Sequence, residues 1–368
     1  MSHDGMSQGT REGRPASRGG GRKQRGGPRK RRRGLRITLG VLLVLLLAAG
    51  GTVYWLYNRL DGNIQGVDID KALGEDRPER LPTSGQNLLV LGSDSRAGAE
   101  NKELGGGGDV GGARSDTAMV VHIPEGRSGA VAVSIPRDTL VTRPRCTKAD
   151  GSTVPTANRV MFNSVYSQVG PACVVKTVEK MSEVRIDHYL EIDFAGFKDL
   201  VDAIGGVTVD VPQDIHDKSS GLDLTKGPHK LDGTESLAYV RTRHGIGDGS
   251  DLGRIGLQQQ FLLALLSEVK SQDLLGSPAK SYRIARSATR SLTTDAGLAS
   301  LKSLAEFGRS MNGVDPGDME TIMLPVAYDK QDRNRVVAAE PQAGDLWKAI
   351  REDGTIPKSA KKSPATGG

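Results

Sequence analysis

The sequence predicts a layered α/β domain with a largely buried sheet, carried behind a single membrane-spanning helix. Three observations predict it: short apolar runs bounded by charged and turn residues, helical periodicities interleaved with those runs, and one uncharged stretch of 22 residues near the N-terminus.

The 368 residues include 50 Lys+Arg and 44 Asp+Glu, a formal net charge of +6. That charge is local. Residues 1–36 hold 12 Lys/Arg and 2 acids, so they carry +10 and leave −4 for the rest. A basic balance overall is therefore no argument that the main body binds nucleic acid. Residues 1–36 read as a basic, disordered tail whose charge serves topology and attraction to anionic lipid, with non-specific nucleic-acid binding as the competing use.

From Ile37 to Asn58 no residue is charged. As a helix this run is roughly 33 Å long, enough for a hydrocarbon core of about 30 Å. Tyr54, Trp55 and Tyr57 cluster at its far end, and Arg29-Lys30-Arg31-Arg32-Arg33 stands before it. The positive-inside rule then predicts a cytoplasmic N-terminus and an extracytoplasmic body. Ala48-Ala49-Gly50 is a weak signal-peptide cleavage site inside a run that continues past it, so an uncleaved anchor is expected. Residues 59–84, rich in Asp, Pro and Gly, read as a stalk or linker; 85–355 as the extracytoplasmic domain; and 356–368 as a solvated, disordered tail.

Within the domain, Asn87–Leu91, Asp116–Ile123 and Ala130–Ile135 read as strands, with turn chemistry at Pro124-Glu-Gly126. A helix is expected over Asn158–Val169, stopped by Gly170 and followed by a second opening at Pro171. Phe194–Ile204 is the next helix, closed by Gly205-Gly206, after which Gly206–Val211 resumes strand character. Asp232 and Glu235 form a capping-box pattern for a short helix to Val240. A long helix from Arg254 to Lys270 carries Leu257, Phe261, Leu265 and Val269 on one stripe, with Leu262 and Leu266 beside it. Leu292–Asp295 and Leu301–Leu304 suggest a packed helical region forming the back of a pocket.

Cys146 and Cys173, the only cysteines, fall on the outer side, where an even pair suggests a structural disulfide. No CxxC or metal-type His/Cys spacing accompanies them, so zinc and redox roles lack support. No GxSxG elbow is present either, which removes the case for acyl transfer.

Arginines and aspartates recur together at the ends of the apolar runs: Asp94 with Arg96, Arg114 with Asp116, Arg137 with Asp138, Arg241 with Arg243, and Asp248, Asp251 and Arg254. Strand ends face the crevice in which α/β folds keep their sites. Arginine forks match phosphate oxygens and never lose their charge, while a few carboxylates suit Mg²⁺. Together they suit phosphoryl chemistry, which is mostly positioning and charge neutralisation. Surface salt bridges would explain any one pair, but less readily five such clusters.

At these residues the chain resembles the LytR-CpsA-Psr family of cell-wall glycopolymer transferases. The matching runs are Gly92-Ser-Asp-Ser-Arg96, Arg114-Ser-Asp-Thr117, Ser134-Ile-Pro-Arg-Asp138, Asp187-His-Tyr189, Asp193-Phe-Ala-Gly-Phe197, Leu200–Val207, Tyr239-Val-Arg-Thr-Arg-His244 and Asp251-Leu-Gly-Arg254 with the glutamines at 258–260. The resemblance spans about residues 85–270. It implies an α-β-α layered domain with a central mixed sheet and an apolar polyprenyl pocket. The implied activity is a Mg²⁺-assisted phosphotransferase, with Mn²⁺ as a substitute, that moves a glycopolymer from an undecaprenyl-pyrophosphate carrier to peptidoglycan. By motif position, Asp94 and Asp116 would hold the metal. Arg96, Arg114, Arg137, Arg241, Arg243 and Arg254, with Gln258, would grip the pyrophosphate. The general base stays open among Asp138, Asp248 and Asp251. The glycine-rich stretch 105–112 lengthens the loop between the first two motifs, and Leu257 stands where many relatives carry a basic residue. His188 is expected to be structural, and His244 to serve a phosphate or a proton transfer. A polyprenyl-pyrophosphate phosphatase using the same site and a non-catalytic lipid-binding regulator are the rival readings. No nucleic-acid partner is expected.

Overall fold

The computed structural model describes residues 29–75, 77–80, 83–94, 101, 115–127, 129–242, 251–272, 277–311 and 313–366. The chain divides into two compact units, residues 1–55 and 56–368. The described part of the first belongs to the helix α1 (Arg29–Asp61), whose stretch Ile37–Asp61 has a mean hydropathy of 2.2 and qualifies as a candidate membrane span. The large apolar side chains from Ile37 to Val53 are exposed, as lipid-facing residues would be.

The second unit starts with β1 (Gln65–Val67) and α2 (Ile69–Leu73), which Asp68 caps by accepting from the Lys71 amide. Here the expected stalk over 59–84 is corrected. Leu60, Ile69 and Leu73 are buried, β1 is an edge strand of the main sheet, and Arg77 donates to the buried Glu179. The segment is too short for a periodic pattern; its few apolar residues are fixed by what they meet.

The meander β2 (Gln86–Ser93), β3 (Ser115–Ile123) and β4 (Ala130–Ser134) is antiparallel throughout and appears as read from the sequence. Next come the outlying strands β5 (Leu140–Arg143), β6 (Cys146–Thr147), β7 (Thr153–Val154) and β8 (Ala157–Met161). The helix expected from Asn158 begins only at Phe162, as α3 (Phe162–Val169). Residues 157–161 instead pair with β5, and Arg159 sits at φ +55°, a left-handed conformation no α-helix contains. Gly170, at φ +110°, separates α3 from α4 (Pro171–Ser182), where proline occupies the first turn as expected. Cys146 and Cys173 are disulfide-bonded, with Cα atoms 5.6 Å apart, tying β6 to α4.

Then follow β9 (His188–Asp193), α5 (Phe194–Ile204), and the hairpin strands β10 (Val207–Val211), β11 (Ile215–Asp217), β12 (Leu222–Leu224) and β13 (Gly227–Leu231). The predicted Asp232/Glu235 capping box opens α6 (Gly233–Arg241), and α7 (Asp251–Ser271) is the long helix. The chain continues through α8 (Pro278–Ser291), β14 (Leu292–Asp295), α9 (Leu301–Ser310), β15 (Met319–Met323), β16 (Val326–Tyr328), β17 (Val336–Ala338) and α10 (Gln342–Arg351). Leu292–Asp295 is thus a strand, not the helix the sequence suggested.

Seven strands form the mixed central sheet, in the order β1-β14-β9-β2-β3-β4-β15. Leu89, Leu91, Val120 and Val133 share one core with residues of α3, α4 and α10. Leu88, Val121 and Ala132 face another, lined by Leu262 and Leu266 of α7 and Phe307 of α9. Both sheet faces are covered, so strands that read as continuous apolar runs end up buried on both sides. The α-β-α layering is the fold expected. Residues 356–366, expected as a solvated tail, instead fold onto this body. Ile356 and Ala360 are buried, and the Ser363 hydroxyl accepts from the Val326 amide and donates to its carbonyl.

Candidate functional site

Strand direction gathers the candidate residues. β2 and β9 run parallel, β3 runs antiparallel to β2, and β4 is antiparallel to β3. The C-terminal ends of β2, β4 and β9 and the N-terminal end of β3 therefore lie on one edge of the sheet. Asp94, Asp116, Arg137 and Asp193 all belong to that edge. Between β2 and β3 the register jumps from Gly92↔Thr117 to Ser93↔Ser115, leaving Asp116 at an irregularity in the ladder. Bulges of this kind re-aim a side chain next to a site.

A cavity of about 650 Å³ opens beside this edge. Val90, Met119, Leu190, Phe197, Phe261, Leu262 and Leu265 supply apolar wall, and Leu292 contributes as the sequence foresaw for the region after the long helix. Its polar side chains are few: Thr117, Asp193, Ser219, Ser220, Arg241, Arg254 and Gln258. An apolar cavity with a small convergent polar set is the usual form of a ligand site.

Each polar group is held by local structure. Asp193 ends β9 and caps α5: one carboxylate oxygen accepts from the Gly196 amide at 2.7 Å, the other from Asn101 at 2.8 Å. The Asn101 carbonyl in turn accepts from the Ala195 amide at 2.9 Å. Two of the orphan N–H groups of the helix start are thereby satisfied. Gly196 is needed there, since a Cβ would lie 2.9 Å from the Ser291 backbone. Arg241, the last residue of α6, lies with its guanidinium 4.7 Å above the Phe194 ring, a cation–π contact. The short helix expected to end at Val240 runs one residue further, so Arg241 is helical. Arg254 is 3% exposed, and one turn further along α7 Gln258 donates to the Val240 carbonyl at 3.1 Å. This locks the end of α6 against α7. Below them the buried Tyr239 hydroxyl donates to Gln260, and burial beside Asp210 pushes its pKa up to about 12.

Arg137 stands outside the cavity wall, on the turn after β4. Its Nε lies 3.6 Å from Asp138, whose other oxygen lies 3.6 Å from Arg335. Gln259, next to Gln258, reaches the Ser134 hydroxyl at 3.1 Å, so α7 touches both the cavity and the end of β4. Leu257 is 2% exposed in a core with Tyr239 and Phe261, not in the cavity wall. His188 has the structural role expected: it bonds Asp295 at 3.3 Å and meets Phe307 edge-on. Arg96, Arg114, Arg243, His244, Asp248 and the stretch 105–112 lie outside the described residues; for Asp116 and Asp251 the backbone alone is described.

Two features escaped the sequence reading. Asp193 and Asn101 shape the cavity edge, although the Asp193-Phe-Ala-Gly run was in view. The buried Glu191 accepts from the hydroxyls of both Tyr166 and Tyr189. Burial and the Glu191 charge raise both phenols above their ordinary range. The charge of Asp94 adds to the upward shift of Tyr166. Only the alternation within β9 signalled this cluster.

An arginine-rimmed apolar cavity on a mixed α/β sheet, in a chain with a candidate membrane helix, defines the class. The chain belongs to the LytR_cpsA_psr family, whose model matches residues 56–352. It is 34% identical over 339 residues to the probable cell wall biosynthesis protein LcpB of Corynebacterium glutamicum, covering 90% of this chain and 75% of that one. The polyisoprenyl-teichoic acid–peptidoglycan teichoic acid transferase TagV of Bacillus subtilis is 29% identical over 322 residues, covering 85% and 76%. Its crystal structure superposes with a TM-score of 0.56 at 25% identity, over 75% of this chain and 100% of that one. The LytR-Csp2A-Psr enzyme from Actinomyces oris shares the fold at a TM-score of 0.58 and 24% identity, over 78% and 96%.

Proposed function

We propose that this chain is a membrane-anchored phosphotransferase that moves a wall glycopolymer from a polyprenyl-pyrophosphate carrier to peptidoglycan. The observation that carries the reading is the cavity: an apolar wall for a polyprenyl chain, with Arg241, Arg254 and Gln258 converging where its charged head would lie. Family membership and a relative named as a teichoic acid transferase support the same reaction class. The candidate span supports anchoring, and the arginine run at 29–33 supports a cytoplasmic N-terminus.

In the reaction, a hydroxyl of the peptidoglycan acceptor attacks the sugar-linked phosphorus. The bond from that phosphorus to the bridging oxygen breaks, and polyprenyl phosphate leaves. The hydroxyl proton passes to a carboxylate; Asp138 belongs to the described edge, while Asp248 and the Asp251 side chain are not among the described residues. The arginines neutralise charge that grows on the bridging oxygen, the largest contribution a site of this kind makes. Mg²⁺ fits the donor set. Asp94 and Asp116, on neighbouring strands at one edge, supply the one or two carboxylates Mg²⁺ takes while phosphate and water complete its shell. Mn²⁺ would serve in its place. Bound there, the metal would supply further charge neutralisation at the phosphates.

The test uses the full chain with a synthetic polyprenyl-pyrophosphate glycan and a peptidoglycan oligomer, with Mg²⁺ or with EDTA. A metal-dependent glycan–phosphate–peptidoglycan conjugate, lost in Arg137→Ala, is expected. Release of phosphorylated glycan without conjugate would instead identify a hydrolase. Tight lipid binding without turnover would identify a binding protein.

A further inference from the structure

We infer that a second groove, adjoining Asp138 on the side of Arg335, is where the acceptor glycan docks; this assignment rests on the transferase reading above. The groove measures about 430 Å³. The paired strands β5 and β8 give it an aliphatic floor of Leu140, Val160 and Met161; Arg159, Gln168 and Arg335 bring donors to it, and one carboxylate, Asp332, lies 4.0 Å from Arg335.

Three observations single it out. First, one carboxylate links a groove-lining residue to the edge that carries the candidate site. Asp138 offers one oxygen to Arg137 and the other to Arg335, both at 3.6 Å. Arg137 stands on the sheet edge shared with Asp94 and Asp116, whereas Arg335 lines the groove. Second, Arg159 holds a left-handed backbone at φ +55°, and its guanidinium meets the carboxylate of Asp329, itself 6% exposed, at 2.9 Å. Strained non-glycine residues persist where the surroundings over-determine them, and they gather at ligand sites. Third, Gln168 is set by a buried partner. Its carbonyl oxygen accepts from Arg143 at 2.6 Å, and Arg143 is only 5% exposed. The Gln168 amide hydrogens are thus left for the groove.

An aliphatic floor suits the C–H face of a sugar ring. Guanidinium and amide donors suit a ligand rich in acceptor oxygens. The groove therefore fits a glycan bearing acetamido and carboxylate groups better than a neutral, hydroxyl-only polymer. A ligand seated there would meet Arg335, whose guanidinium lies 3.6 Å from Asp138, itself beside Arg137. Donor and acceptor would then approach Asp138 from opposite sides.

The test measures binding of a peptidoglycan-derived tetrasaccharide with stem peptides to the full chain in detergent. It compares wild type with Arg159→Gly, which keeps the backbone conformation at no steric cost, and Ser164→Trp, which fills the groove. Each variant is expected to raise the tetrasaccharide Kd at least tenfold, while the Kd for a polyprenyl-pyrophosphate glycan moves less than twofold. Unchanged tetrasaccharide affinity in Arg159→Gly, with a normal melting profile, overturns the assignment. So does an absence of binding to wild type at millimolar concentration. Groove-dependent binding by a chain that transfers no glycan would overturn the transferase reading and keep the groove as a glycan site.

Discussion

Replacing Arg77 by methionine tests whether residues 59–80 belong to the folded body. The Arg77 guanidinium is 7% exposed and donates to both oxygens of Glu179, to the Ile186 carbonyl and to Asp70. Glu179 is 3% exposed, and without Arg77 its one remaining hydrogen bond among the described residues is from the Ile186 amide. Breaking a buried pair on one side leaves an uncompensated charge, at a cost of about 3–5 kcal/mol. At about 2–4 °C per kcal/mol for large domains, the melting midpoint should fall by about 6–20 °C. Against a total stability of about 5–15 kcal/mol, that is severe. Thermal unfolding of the full chain in detergent, followed by circular dichroism, measures it. The double variant Arg77→Met/Glu179→Gln removes the stranded charge and should recover more than half of the loss. A single-variant effect below about 1 kcal/mol, or a double variant no better than the single, would refute the buried-pair reasoning.

Other expectations follow from the same contacts. Burial is the main influence on His122 and lowers its pKa below the ordinary 6.5, outweighing the pull of Asp353 at 2.9 Å. The stability this confers is present above pH 6.5 and lost as the pH falls from 6.5 toward the folded value. Urea midpoints between pH 7.5 and 5 should show that slope in wild type and a flatter one in His122→Asn. Reducing the Cys146–Cys173 bond, which closes a separation of 27 positions, should cost about 3.5 kcal/mol in the chain-entropy model. Melting with and without dithiothreitol checks this, and a shift under 2 °C would count against it. Phe194→Leu removes the ring beneath Arg241 while keeping apolar volume, so donor affinity should fall by about 0.5–2 kcal/mol. An unchanged Kd for the polyprenyl-pyrophosphate glycan would place the head group elsewhere.

What could be read from the sequence was what neighbours in the chain decide. The 22-residue uncharged run, the apolar β2, β3 and β4, the helix 194–204 with its glycine stop and the Asp232/Glu235 capping box are set by periodicity and by contacts three or four residues away. Of the candidate site, the motif residues Arg241, Arg254 and Gln258 were legible, and they do meet on one cavity. Their shared geometry was not, because it depends on how α6 ends against α7. Tertiary structure decided the rest. Residues 65–67 become a strand only because β14 offers them an edge, and 157–161 leave the helix because β5 pairs with them. Glu191 can be buried only where Tyr166 and Tyr189 arrive to donate to it, one of them from a different element. Arg137 lies off the cavity wall because the turn after β4 holds it against Asp138 and Arg335, the latter nearly 200 positions further along. Short segments and single charged side chains carry too little local preference to choose a place for themselves. Their conformations follow from partners that only the folded chain brings within reach.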